Sequence, residues 1–173
     1  MIHVENIVAL CSLGSDMDLS RLAVILPGSE YDPEHFHALV FRDGENKGSL
    51  LVNASGIVVA VGFKTEESLV RALDGLVADL RKHGFDVSKG SIEIQNMVVS
   101  ANLSVDLDLP RIAASLTEAE YEPEQFPGVV MRLADPRTTV LLFRSGKLIC
   151  VGAKGHAPAE RAITEVIQRI SNL

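Results

Sequence analysis

The sequence predicts an α+β fold: two pseudo-twofold repeats building one curved, antiparallel, eight-stranded sheet with helices on one face. Three observations carry this reading. The chain duplicates itself at a spacing of 90 residues. Each copy has the same strand, helix, three strands, helix pattern. The strand periodicity leaves one sheet face apolar with no segment to cover it.

The duplication comes first because it organises everything else. Residues 4–83 align with 94–173 without a gap, and about 24 of the 80 pairs are identical. EYDPEHF at 30–36 matches EYEPEQF at 120–126, and Ser55-Gly56 matches Ser145-Gly146. Val61-Gly62-Phe63-Lys64 matches Val151-Gly152-Ala153-Lys154. Two copies are too few for a solenoid. The repeats are expected at 1–88 and 89–173, together forming one domain.

Each repeat opens with an apolar strand, at 3–10 and 92–100. A short helix follows, with Asp18 or Ser20 as N-cap and Leu19, Leu22, Ala23 and Leu26 on one face. Pro27-Gly28 stops it. Strand-like runs come next at 36–42, 49–54 and 57–63, with a polar turn before the second and a Ser55-Gly56 hairpin before the third. A long amphipathic helix closes the repeat. Leu69, Val70, Leu73, Leu76, Val77 and Leu80 form its stripe, and Gly84 stands where a C-terminal cap belongs. The second copy repeats the stripe with Ala159, Ala162, Ile163, Val166, Ile167 and Ile170.

With helices on one face, the other face is bare. Its alternating residues are Val8, Val40, Leu51, Val59 and Val61, then Val98, Val130, Leu141, Ile149 and Val151. So large an apolar surface calls for a partner, either another chain or a different kind of molecule.

Composition narrows the classes. Hydrophobic residues make up 47% and charged residues 23%, an ordinary globular balance. Cys11 and Cys150 are too few for a disulfide framework and lack metal-ligand spacing, and the five histidines are scattered. No metal, no cofactor and no catalytic residue is expected. Acidic residues as general acid and base find no His, Cys or metal cluster beside them. No signal-like N-terminus or membrane-length apolar run is seen, so a cytoplasmic setting without membrane contact is expected. The net charge of −7 argues against nucleic acid unless charge is segregated between faces.

Several motifs, in order and over essentially the whole chain, resemble the TATA-box-binding protein family in its archaeal, core-domain form. They are Ile94-Gln95-Asn96-Met97-Val98, Tyr121-Glu122-Pro123-Glu124-Gln125-Phe126-Pro127-Gly128 and Asp135-Pro136-Arg137-Thr138-Thr139. Leu142-Phe143-Arg144-Ser145-Gly146-Lys147 and Cys150-Val151-Gly152-Ala153-Lys154 complete the set. The resemblance implies a saddle with helices on its convex face, set on the minor groove of double-stranded promoter DNA. It also implies apolar wedges that kink the duplex, the known mode of this family, and a nucleoid-associated location.

Carried over residue by residue, the resemblance makes Phe126 and Phe143 one wedge pair and Phe36 half of the other. The position matching Phe143 in the first repeat is Asn53, a departure. A core role is the alternative for these rings. Asn6 and Asn96 match the family's central asparagines, whose amides donate to adenine N3 and thymine O2. The minor groove of A·T pairs offers only acceptors, which suits that role; capping of backbone groups is the alternative. Val61 and Val151 stand where the family has threonines, so a strict TATA preference is expected to relax.

Residues 129–154 hold Arg132, Arg137, Arg144, Lys147 and Lys154 against Asp135, a balance of +4. Residues 39–64 hold Arg42, Lys47 and Lys64 against Asp43 and Glu45, a balance of +1. In the family such residues reach phosphates; on a bland reading they solvate strands. Ile57 replaces a lysine, and Asp43-Gly44-Glu45-Asn46 makes the first turn acidic. Glu122, Glu124 and Gln125 match the segment that meets transcription factor B in the family. Two functions follow from these residues: a promoter-binding initiation factor that recruits transcription factor B, or a divergent paralogue serving mainly as a protein-interaction platform. Self-association through the bare face is expected when DNA is absent.

Overall fold

The structure, a computed structural model, describes every residue except Asn46, and Asp43 by its backbone alone. The side chains of those two residues of the acidic turn therefore lie outside the described residues. The chain divides into two compact units, one of Asn6–Gln95 and one of Met1–Glu5 with Asn96–Leu173.

The elements run in chain order as β1 (His3–Ser12), α1 (Leu19–Ile25), β2 (Leu39–Asp43), β3 (Gly48–Val52), β4 (Ile57–Phe63) and α2 (Glu66–Lys82). The second series is β5 (Ile92–Asn102), α3 (Leu109–Ser115), β6 (Ala119–Glu120), β7 (Val129–Ala134), β8 (Arg137–Leu142), β9 (Lys147–Ala153) and α4 (His156–Ser171). In the first unit the antiparallel ladder runs β2-β3-β4-β1, and in the second β6-β7-β8-β9-β5.

The eight expected strands are all present, and β6 is a ninth. It is two residues long, pairing Ala119 with Met131 and Glu120 with Val130. Two residues are too few to show any periodicity in a sequence. At the matching place in the first unit there is a single bridge, Glu30 to Val40.

Local chemistry explains where helices begin and end. The Asp18 carboxylate accepts from the Arg21 N–H at 3.1 Å, and Asp108 accepts from Arg111 at 3.1 Å. The Thr65 hydroxyl accepts from the Ser68 N–H to start α2. Glu66 and Glu67 lie in its first turn and Arg81 and Lys82 in its last, each charge opposite to the helix-dipole end beside it. Beyond α2 the Phe85 N–H returns to the Leu80 carbonyl at 3.0 Å, the closing bond expected of a Gly84 cap.

Alternation along the strands sets the layers. Leu39, Leu50, Val52, Val58, Ala60 and Phe63 are buried, and α2 packs on β3 and β4. Leu69, Leu73, Leu76 and Leu80 supply the helix side of that layer, each worth about 1.5–3 kcal/mol when fully buried. In the second unit Val129, Met131, Val140, Leu142, Leu148 and Cys150 are buried, and α4 packs on β8 and β9. The intervening strand residues, such as Leu51, Val59, Leu141 and Ile149, alternate to the other face and are only half-buried.

One strand begins later than the sequence suggests. Residues 36–38 precede β2, because the Phe36 N–H donates back to the Asp32 carbonyl at 2.9 Å and closes a turn. The Tyr-Asp-Pro-Glu run favours such a turn, with Asp accepting locally and Pro fixing φ.

Candidate nucleic-acid interface

Strand register gathers the residues of the uncovered face into rows. Val40 lies opposite Leu51, Leu51 opposite Val59, and Val59 opposite Leu10. The second unit repeats the row as Val130, Leu141, Ile149 and Ser100. Val61 lies opposite Ser49, and Val151 opposite Thr139. Val8, Val40, Leu51, Val59, Val61, Val98, Val130, Leu141, Ile149 and Val151 are all half-buried, while their strand neighbours on the helix side are fully buried. Leu10, Ser49 and Thr139 join these rows and were missed in the sequence; Ser100 shares the register but is buried, its hydroxyl donating to Glu5 at 2.6 Å. Strand alternation was the signal that could have found two of them, because Leu10 stands two residues from Val8 and Ser49 two residues from Leu51.

Asn6 and Asn96 are held identically. Asn6 Oδ1 accepts from the Gly62 N–H at 2.8 Å, and Asn96 Oδ1 accepts from the Gly152 N–H at 2.7 Å. The ladder slips beside each of them, between Ile7 and Ala9 and between Met97 and Val99. The slip needs φ of +81° at Gly62 and +87° at Gly152, backbone that glycine adopts without strain. With the oxygen committed to backbone, the amide nitrogen is the end of each side chain left for a partner.

The aromatic residues differ between units. Phe126 and Phe143 meet at 5.7 Å between ring centroids with their planes 64° apart. Phe36 instead stacks on His37 at 5.5 Å and 30°. Asn53 turns back into its hairpin, its Nδ2 donating to the Ile57 carbonyl at 3.1 Å. The core alternative fails for Phe36, which is 42% exposed.

Charged groups line the rows. Arg42 pairs with Glu30 and Arg132 with Glu120, each at 2.9 Å and each more than half exposed. Neither ion pair was anticipated from the sequence. Lys147 is exposed at the start of β9. Glu122, Glu124 and Gln125 are exposed on the turn before β7, where the Gln125 and Phe126 N–H groups both donate to the Glu122 carbonyl at 2.9 Å. Cys11 and Cys150 are buried, and burial pushes both thiols up from their ordinary value, which disfavours the nucleophilic thiolate. Among the described residues no group of His, Cys, Asp and Glu could hold a metal ion, and no helix is long and apolar enough to cross a membrane.

Comparison with known proteins gives this arrangement a context. The family model described as transcription factor TFIID, or TATA-binding protein, matches residues 1–83 and again 91–173. TATA-box-binding protein B of Halobacterium salinarum is 45% identical over 175 residues, covering 99% of this chain and 94% of the relative. The TATA-box-binding protein of Thermococcus celer is 40% identical over 170 residues, covering 98% and 90%. The solved structure of Methanococcus jannaschii TBP superposes with a TM-score of 0.92 at 39% identity, covering 99% of both chains. Matched twice by one family model and aligned end to end with such relatives, the chain belongs to the TATA-binding protein family.

Proposed function

We propose that the chain is a general transcription initiation factor that lays the uncovered face of each unit on the minor groove of A·T-rich promoter DNA. The observation that carries the proposal is the pair of tethered asparagines. Asn6 and Asn96 spend their oxygens on Gly62 and Gly152, so each offers a donor within an apolar surface. A groove wall bearing only acceptors is the complement of that pattern. The half-buried valines and leucines around them exclude water and tolerate any A·T order. Phe126 with Phe143 in one unit, and Phe36 in the other, act as wedges between base steps. Arg42, Arg132 and Lys147 exchange their present surroundings for phosphates.

Glu122, Glu124 and Gln125 form the recruiting surface for transcription factor B, because exposed carboxylates beside a wedge suit a basic protein better than a phosphate. Without DNA, the same apolar rows support self-association. The proposed setting is the cytoplasm, on the nucleoid, and the proposal involves no catalytic step. A gel shift with a TATA-containing duplex, with and without transcription factor B, tests the reading. A retarded complex that transcription factor B shifts further is expected; no complex in either lane contradicts it.

One observation favours a second reading. Asn53 is hydrogen-bonded into its own hairpin and supplies no wedge, which suits a divergent paralogue acting as a protein-interaction platform with weak DNA binding. Retention of transcription factor B without any DNA complex is the outcome that reading expects.

A further inference from the structure

The unit of Asn6–Gln95 repeats the turn that places a wedge ring but not the second ring beside it. The Phe36 N–H donates to the Asp32 carbonyl, and the Phe126 N–H donates to the Glu122 carbonyl, both at 2.9 Å. Phe126 then meets Phe143, whereas the matching Asn53 is held by Ile57. Room differs as well. A Cβ on Gly128 would lie 3.0 Å from the Phe126 ring and 3.3 Å from the Phe143 ring. The first unit carries a Cβ at that position, on the buried Ala38. A second ring beside Phe36 would therefore need the neighbours of the Ala38 methyl to give by a few tenths of an ångström.

Phe36 is nevertheless not a lone ring. His37, where the other unit has Pro127, stacks on it at 5.5 Å and 30°, and both residues are exposed. Two flat rings stacked on each other in water keep a free face and free edges for a third π surface. Every base offers such a surface, and imidazole stacks on bases as phenylalanine does. A neutral imidazole also brings one N–H, a donor facing a groove edge made of acceptors. Proline offers neither.

We infer that His37 is a DNA-contacting residue that completes the first-unit wedge, a stacked Phe36–His37 pair entering a base step where the second unit uses Phe126 and Phe143. The inference rests on the minor-groove reading above.

The test uses the whole chain and a TATA-containing duplex with 2-aminopurine at the outermost step of both ends, so that the signal is independent of which way round the protein lies. His37→Ala is expected to lower the fluorescence gained on binding and to speed dissociation about tenfold. His37→Phe is expected to keep both, and Asn53→Phe placed in the His37→Ala chain to restore both. An unchanged melting temperature of free His37→Ala separates the effect from folding. Parent-like fluorescence and dissociation in His37→Ala would overturn the role of His37 while leaving minor-groove binding intact. A parent chain that does not hold the duplex overturns both.

Discussion

Phe126 and Phe143 meet edge to face, ring centroids 5.7 Å apart, above a residue with no room for a side chain. A Cβ on Gly128 would stand 2.8 Å from the Leu142 carbonyl oxygen, besides its close approach to both rings. A strand carbonyl cannot yield as a flexible side chain can. Gly128→Ala is therefore expected to cost about 1–3 kcal/mol, as overpacking does, and to spread the ring pair. Melting and DNA bending should both fall. A variant with the parent's melting temperature and the parent's bend would show that Gly128 does not hold the pair.

The second prediction concerns the unequal ends. Opening a base step costs a few kcal/mol and is recovered through contact with bent DNA. A phenylalanine pair displaces more stacking than a Phe–His pair, so the kink should be sharper at the end held by Phe126 and Phe143. Asn53→Phe should increase both the bend and the lifetime of the complex, and Phe143→Asn should nearly abolish bending. Energy transfer between dyes on the two DNA ends reads both. An Asn53→Phe complex with the parent's bend and dissociation rate would show that the first-unit wedge is not limiting.

Salt provides the third. Binding should weaken with a slope near −0.9 for each phosphate neutralised. Arg132 spends its charge on Glu120 in an exposed pair, worth about 0–1 kcal/mol and easily exchanged for phosphate. Arg132→Ala and Lys147→Ala should each flatten the slope by about one unit. An unchanged slope removes that residue from the interface.

Much of this architecture was legible because its signals are periodic. The α2 stripe is a run of leucines at helical spacing, and the buried and uncovered faces follow strand alternation, with Leu50 and Val52 inside and Leu51 between them outside. The Asp18 cap follows from its short acceptor side chain. What was not legible depends on contacts across the fold. The bond from Gly62 to Asn6 spans 56 residues, although an isolated Gly in a strand does signal a bulge. The pairing of Arg132 with Glu120 depends on β6, too short to recognise. Asn53 read as a missing ring, but its bond to Ile57 and the stacking of His37 needed coordinates.

Acid stability gives a fourth prediction, independent of DNA. Glu118 forms an ion pair with Arg169, whose Nε also donates to Glu165 at 2.7 Å. The largest influence on the Glu118 carboxyl is its own backbone N–H, which lowers its pKa against an opposing effect of burial; Thr117 and Arg169 lower it further. A folded pKa below the unfolded one contributes stability that is full above the ordinary glutamate value, about 4.3, and is lost as pH falls through the folded value. Because both partners are partly exposed, Glu118→Gln should cost only about 0.5–1 kcal/mol at neutral pH. The parent and variant melting curves should draw together as pH falls below the ordinary glutamate value. A gap that persists undiminished into acid would place the effect elsewhere than in this charge.

In the proposed mode of binding, Asn6, Asn96 and the apolar rows read the minor groove of A·T pairs. Replacing A·T by inosine·cytosine keeps the A·T minor groove, which lacks the guanine amino group, while giving the major groove a G·C pattern. Affinity should be measured at one fixed salt concentration on three duplexes of the same length, one with a TATA-type centre, one with inosine·cytosine and one with G·C. Binding to the inosine duplex within a few-fold of the TATA duplex, with a loss of tenfold or more on G·C, is the predicted result. An inosine duplex bound as poorly as G·C would contradict minor-groove recognition by this face.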